Sequence, residues 1–144
     1  MAHCIDLGEQ FHSSSYFAFA PYNREKAYNW AMRGLERKNK LMLVAEDQPS
    51  QEIFGYFVAN VSTFYFSDAV VSEEEQMFLH PEKRGGPTAV KFMKIWEKWA
   101  IENNASMLYF TAGAMDDVGN KFDGFMKKLG YYPTGPAYRK CVGE

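Results

Sequence analysis

The stretch Met77 to Ala100, MFLHPEKRGGPTAVKFMKIWEKWA, runs from a strand-like segment through a glycine turn into a helix, and it decides the fold. Met77, Phe78 and Leu79 form an apolar run led in by Ala69, Val70 and Val71 and stopped by His80 and Pro81, which reads as a buried strand. From Thr88 onward Ala89, Phe92, Met93, Trp96, Trp99 and Ala100 recur three and four apart, while Lys91, Lys94, Glu97, Lys98 and Glu102 take the other face. The turn between them is Glu82, Lys83, Arg84, Gly85, Gly86, Pro87; its glycines permit positive φ and leave their amides uncovered, and Pro87 suits a first helical turn. A helix start carries unpaired N–H groups and about half a positive charge, so this corner suits a phosphate or diphosphate. Arg84 and Lys83 add mobile positive charge at its mouth. The plainer reading is a tight strand-to-helix connection with Arg84 solvated.

The 144 residues predict one domain spanning 1–144. A net charge of −2 without a basic stripe argues against nucleic acid as a partner. No apolar run approaches the roughly 20 residues of a membrane span, and the start, MAHCIDLGEQ, lacks the plan of a signal peptide, so a soluble intracellular protein with no membrane partner is expected. Cys4 and Cys141 have no framework spacing and read as two reduced thiols. His3, His12 and His80 are scattered, which predicts no metal site. The 12 Phe, 9 Tyr and 3 Trp fit a dense core and an aromatic-lined cleft.

Outward from the central stretch, Ile5 to Tyr16 predicts a short helix that Gly8 weakens, followed by an aromatic loop, Phe17 to Tyr22, read as a hydrophobic plug in preference to a cleft wall. Asn23 caps a helix to about Arg37 with Ala27, Trp30, Ala31 and Leu35 inward. Leu41 to Ala45 and Ile53 to Ser62 read as a hairpin, joined by Thr63 to Asp68 to the central strand. Met107 to Thr111 follows the helix as a strand, so a parallel pair is expected. Asp116 caps a last helix with Val118, Phe122, Phe125, Met126 and Leu129 inward and a left-handed stop at Gly130; Tyr131 to Val142 reads as one or two closing strands.

Several of these residues together resemble the GNAT acetyltransferase superfamily, whose loop pattern is Gln or Arg, two residues, Gly, one residue, then Gly or Ala. The match is Arg84, Gly85, Gly86, Pro87, Thr88, Ala89, preceded by Leu79, His80, Pro81, Glu82, Lys83, and the ending Lys128, Leu129, Gly130, Tyr131 is similar to the family's K-x-G-[FY]. The spacing of Gly8, Phe11 and His12, of Leu43 to Glu46, of Phe66 to Ala69 and of Arg84 to Gly86 resembles short phage and bacterial members. The resemblance implies an α/β (α+β) fold with a mixed, mostly antiparallel central sheet, a splayed parallel strand pair and about four helices. It implies acetyl-CoA as cosubstrate and transfer of acetyl to a primary amine by direct attack on the thioester. It also implies cytoplasmic location, in a host cell if the gene is phage-borne. The alternative is a catalytically weak binding protein of the same fold, such as a phage factor acting on a host partner.

Two positions depart from that pattern. Pro87 stands where glycine is usual and lacks an N–H, and Met126 stands where many members carry a proton-donating tyrosine. Tyr131, Tyr132 or Tyr138 is the expected substitute, or water, since a CoA-type thiolate leaves readily. An acceptor amine of pKa about 10.4 needs a base. Glu75 and then Glu73 are the candidates, because simple alternation puts both on the face of Met77 and Leu79 and the family's bases lie on this strand. Mutual repulsion in the Glu73, Glu74, Glu75 cluster would raise one member's pKa, and its charge suits a cationic acceptor, small molecule or protein; the plainer reading is a solvated strand end. The implied cofactor contacts are the amides near Phe78 and Leu79 for the thioester oxygen, those of Arg84, Gly85, Gly86, Thr88 and Ala89 for the diphosphate, and Asn120 for the pantetheine arm. Cys4 beside His3 as a nucleophile is the weaker enzymatic rival. Oligomeric state stays open between monomer and homodimer.

Overall fold

The computed structural model describes residues 1–111, 119–135 and 137–142. Its elements are α1 (Ala2–Ser13), α2 (Arg24–Leu35), β1 (Lys40–Glu46), β2 (Ile53–Phe64), β3 (Ser67–Leu79), α3 (Thr88–Glu102), β4 (Ala105–Tyr109) and α4 (Gly119–Lys128). The four strands form one sheet in the order β1-β2-β3-β4, antiparallel except for the parallel β3–β4 pair. The mixed sheet with its parallel pair and four helices is the expected architecture.

The helices take the two faces. On one, α3 buries Phe92, Met93, Trp96 and Ala100 against Phe57, Ala59 and Leu79, and Met126 of α4 joins the same cluster. On the other, Leu7 of α1 packs with Tyr56, Val58 and Phe78. The side chains of β2 thus alternate between the two cores, as a strand buried on both faces requires.

Strand β3 breaks that alternation once. Ser72 faces α3, because its hydroxyl accepts the indole N–H of Trp96 at 2.8 Å and donates to the Asn60 carbonyl at 2.8 Å. Met77 and Leu79 pack on the same α3-side cluster. Residues 72 and 77 are an odd number apart, so one residue between them has to be extra. The register shows it: Gln76 lies opposite Val58 and Glu74 opposite Ala59, which leaves Glu75 unpaired as a β-bulge. Glu73 and Glu75 therefore share a face, yet it is the face opposite Met77 and Leu79, and the expectation from uninterrupted alternation is corrected.

Other boundaries moved for local reasons. The first helix spans Ala2–Ser13, and Tyr16–Phe19 forms a separate 3-10 turn capped by the Ser15 hydroxyl. Phe17 and Phe19 are exposed, so the aromatic loop is not a plug. Asn23 caps α2 as expected, its Oδ1 accepting from the Lys26 amide, but α2 packs through Ala31 and Gly34 while Trp30 and Leu35 stay exposed. Strands β2 and β3 run to Phe64 and from Ser67, so the expected connector is their own hairpin, with Tyr65 fully exposed at its tip. Strand β4 starts and ends two residues early, at Ala105 and Tyr109. Gly130 has the expected positive φ of 90°. Residues 131–135 and 137–142 form no strand, which corrects the closing strands. Asp116 and Val118 lie outside the described residues.

Replacing Ser72 with Ala leaves the buried Trp96 N–H without its acceptor. A loss of about 1–3 kcal/mol in urea-unfolding stability is expected, with unchanged slope.

Candidate functional site

Strands β3 and β4 pair only from Val70/Ala105 to Glu73/Tyr109. Beyond Glu73, β3 continues to Leu79 with no partner on that edge among the described residues, so the two strands splay. His80 donates its amide to the Phe54 carbonyl at 2.8 Å, on the β2 side. Antiparallel alternation then turns the Phe78 amide toward β2 as well, and the amides of Leu79 and Met77 toward the open edge. Of the two positions expected to polarise a thioester, Leu79 has its N–H in the gap.

The loop at the end of β3 reaches α3 through a 3-10 turn, Pro81–Lys83, then Gly85 at φ 82°, a left-handed conformation that glycine adopts without strain. Pro87 is the N-cap of α3, and its carbonyl accepts the Lys91 amide at 3.0 Å. No described backbone carbonyl takes the amides of Gly85, Gly86, Thr88, Ala89 or Val90. Gly85, Gly86 and Pro87 are exposed, so these donors form an open cradle at a helix start.

The flanking cations are tethered, which corrects the expectation of mobile charge. Arg84 donates from Nε to the Leu79 carbonyl at 2.9 Å with its guanidinium over the Phe78 ring, and Lys83 lies 3.5 Å from Asp47 and over the Phe54 ring. On the α1 side of the same loop is a cavity of about 300 Å³ lined by His3, Asp6, Leu7, Phe54, His80 and Lys83, among others.

The three glutamates differ sharply. Glu75 is clamped by Lys40 Nζ at 2.6 and 2.8 Å and by Asn60 Nδ2 at 2.7 Å. Glu73 is exposed opposite Asn60. Glu74 is partly buried beside the gap, and its carboxylate accepts the backbone N–H of Thr111, two residues beyond the last β4 pair. Burial pushes Glu74 up to about 7; the Thr111 bond pulls it down and the Glu75 charge pushes it further up. Sequence periodicity missed Glu74 because the bulge that aims it is not a periodic feature; the triplet itself was the only pointer.

Glu74 lies opposite Ala59 on the α3 face; the α1 face of the sheet carries a separate set of polar groups. The Tyr56 hydroxyl is buried without a hydrogen-bond partner among the described residues, and burial, Tyr22, Cys4 and Glu74, in that order, push its pKa well up. The Tyr22 hydroxyl packs against Gly8, within 2.7 Å of where a Cβ would stand. Burial also pushes the Cys4 thiol up, which disfavours it as a nucleophile.

The candidate acids fall elsewhere. Met126 is in the α3-side core. Tyr131 stacks on Trp96, and burial, with the Glu97 charge, raises its hydroxyl to about 12. Tyr132 and Tyr138 are exposed, Tyr138 at 91 %. Asn120 is in the first turn of α4, and its side chain lies outside the described residues. Among the described residues no group of three or more His, Cys, Asp or Glu could hold a metal, and no helix is long and apolar enough to cross a membrane.

No protein-family model matches the chain, and no curated protein sequence does. Solved structures do match. An aminoglycoside antibiotic 6'-N-acetyltransferase of Acinetobacter haemolyticus is 14% identical, with 99% of this chain and 92% of that one covered and a TM-score of 0.71. AAC(6')-Iy in complex with the bisubstrate analogue CoA-S-monomethyl-acetylneamine is 14% identical over 98% and 91%, at 0.72. A GNAT family acetyltransferase of Staphylococcus aureus is 12% identical over 94% and 90%, at 0.60. The fold is that of the GNAT acetyltransferases.

Because the native state keeps the Glu74 proton up to about 7 while the unfolded chain releases it near 4.5, the native state binds more protons between those values. Stability from this group is therefore present at pH 4 and lost as pH rises through 7. Thermal melts of Glu74→Gln are expected to show a gain over wild type at pH 8 that is absent at pH 4.

Proposed function

We propose that this protein is an acetyl-CoA-dependent N-acetyltransferase acting on a primary amine of a cationic acceptor. The observation that carries the proposal is the placement of Glu74, with its raised pKa, beside a gap whose far end is a cradle of amides that no described backbone carbonyl takes. The shared fold with acetyltransferases, one of them holding a CoA bisubstrate analogue, supports acetyl-CoA as the cosubstrate.

In this reading the diphosphate rests on the amides of Gly85, Gly86, Thr88 and Ala89, with Arg84 adding charge and Pro87 contributing no donor. The pantetheine arm runs along the open edge of β3 toward Glu74, and Asn120 is retained as its candidate contact from α4. The Leu79 amide faces the thioester oxygen, where it stabilises the charge that builds on that atom. Glu74 takes a proton from the acceptor's ammonium directly or through water, the amine nitrogen bonds to the acetyl carbon and gives up its second proton to solvent, and the carbon–sulfur bond breaks to release the CoA thiolate. A base with pKa about 7 is half ionised at neutral pH, which suits proton abstraction there. Water protonates the thiolate, which is a fair leaving group near neutral pH.

This assigns to Glu74 the role that the sequence suggested for Glu75 or Glu73. Glu75 is already committed to Lys40 and Asn60. Glu73 remains exposed near the gap and adds to the negative potential that would draw a cationic amine, a feature shared with the acceptors of the aminoglycoside enzyme among the structural matches.

Isothermal titration is expected to show acetyl-CoA binding to the wild-type chain and binding at least about tenfold weaker to Arg84→Glu, which sets a carboxylate against the amide cradle. No wild-type binding at millimolar acetyl-CoA would end the reading. In an amine panel, Glu74→Gln is expected to lower kcat by about 100-fold or more with the KM for acetyl-CoA unchanged, and the wild-type kcat/KM is expected to rise with pH through about 7.

A further inference from the structure

We propose that Lys40, with Asn60, is a positioning residue that clamps the Glu75 carboxylate on the α2 side of the sheet and so holds its neighbour Glu74 aimed into the gap between β3 and β4. The inference rests on the reading of Glu74 as the base.

Three strands converge on this clamp. Lys40 is the first residue of β1 and lies opposite Asn60 on β2, which in turn lies opposite Glu73 on β3. From these positions Lys40 Nζ meets both oxygens of Glu75, and Asn60 Nδ2 meets one of them. The Lys40 and Glu75 side chains are only 8% and 23% exposed, and the Lys40 ammonium sits 4.5 Å from the centre of the Trp30 ring of α2. A largely buried pair with bidentate contacts, a third hydrogen bond and an aromatic lid is far better defined than a surface ion pair.

Its location gives it a consequence. Glu75 is the extra residue of the bulge, and at a bulge the strand changes phase. Drawing the Glu75 side chain to the α2 side commits Glu74 to the other side, opposite Ala59 and against the Thr111 amide. If Glu75 were released, the clamp would no longer oppose rotation of the two glutamates about the strand.

The pair also sets the charge next to Glu74. The groups that act on Glu74 are Glu75 on its own strand and the Thr111 N–H following β4. Glu75 is the charge that matters, and Lys40 is its counter-ion. Removing Lys40 makes the surroundings of Glu74 more negative; removing the Glu75 charge makes them more positive.

The backbone amide of Thr111, hydrogen-bonded to Glu74, reports that carboxylate by NMR titration without any need for catalysis. Lys40→Met is expected to move the Thr111 midpoint up by about half a pH unit or more, Glu75→Gln to move it down, and Lys40→Arg to leave it in place. The pH profile of kcat/KM should follow the same order. If Lys40→Met does not fold, Glu75→Gln, which keeps one acceptor oxygen for Lys40 and Asn60, and Lys40→Arg decide the matter. A Thr111 midpoint that stays fixed in folded Lys40→Met and Glu75→Gln overturns the clamp. Midpoints that move as stated in a chain that transfers no acetyl group uphold the clamp and sink the enzymatic reading instead.

Discussion

The structure depends on a mismatch of phase within a single strand. Trp96 requires Ser72 on the α3 side, and the α3 core requires Met77 and Leu79 there too. A regular strand cannot meet both demands, because its side chains alternate and the two anchors are five residues apart. Both anchors are strong: Trp96 is 0% exposed, its N–H has to be satisfied inside the protein, and Leu79 sits in the same packed cluster. The strand accommodates them by inserting Glu75, and everything distinctive about the centre of the sheet follows.

That insertion separates the fates of three identical side chains. Glu73 stays in water, Glu75 is drawn into a charge-paired pocket, and Glu74 lies at the mouth of the splay with a pKa near neutrality. Differences of this size between neighbours of one residue type come from burial and partners, since the intrinsic chemistry is the same. They arise where β3 loses its pairing with β4, so that a carboxylate, and not a strand carbonyl, receives the Thr111 amide.

Much of the fold was legible because it rests on periodicity and punctuation. The three- and four-residue recurrence of Phe92, Met93, Trp96 and Ala100 gave α3; Gly85, Gly86 and Pro87 gave its start; Asn23 gave the start of α2; and Gly130 marked the end of α4. What resisted reading was tertiary. The outward Trp30 on α2 looked like a core residue, yet it covers the Lys40 ammonium. The tail after Tyr131 has strand-like composition, but its described residues form no strand. The choice among Glu73, Glu74 and Glu75 turned on a bulge that is imposed by an indole on another element, which a count along β3 alone has no means to register.

Helix α3 joins the two walls of the splay. Its 15 residues amount to roughly 22 Å of rigid rod, entered through two glycines and left through only Asn103 and Asn104 before β4 begins. The indole of Trp96 pins the rod to β3 near its middle. The rod thus ties the amides at its first turn, through the Trp96–Ser72 bond, to the same strand that carries the three glutamates.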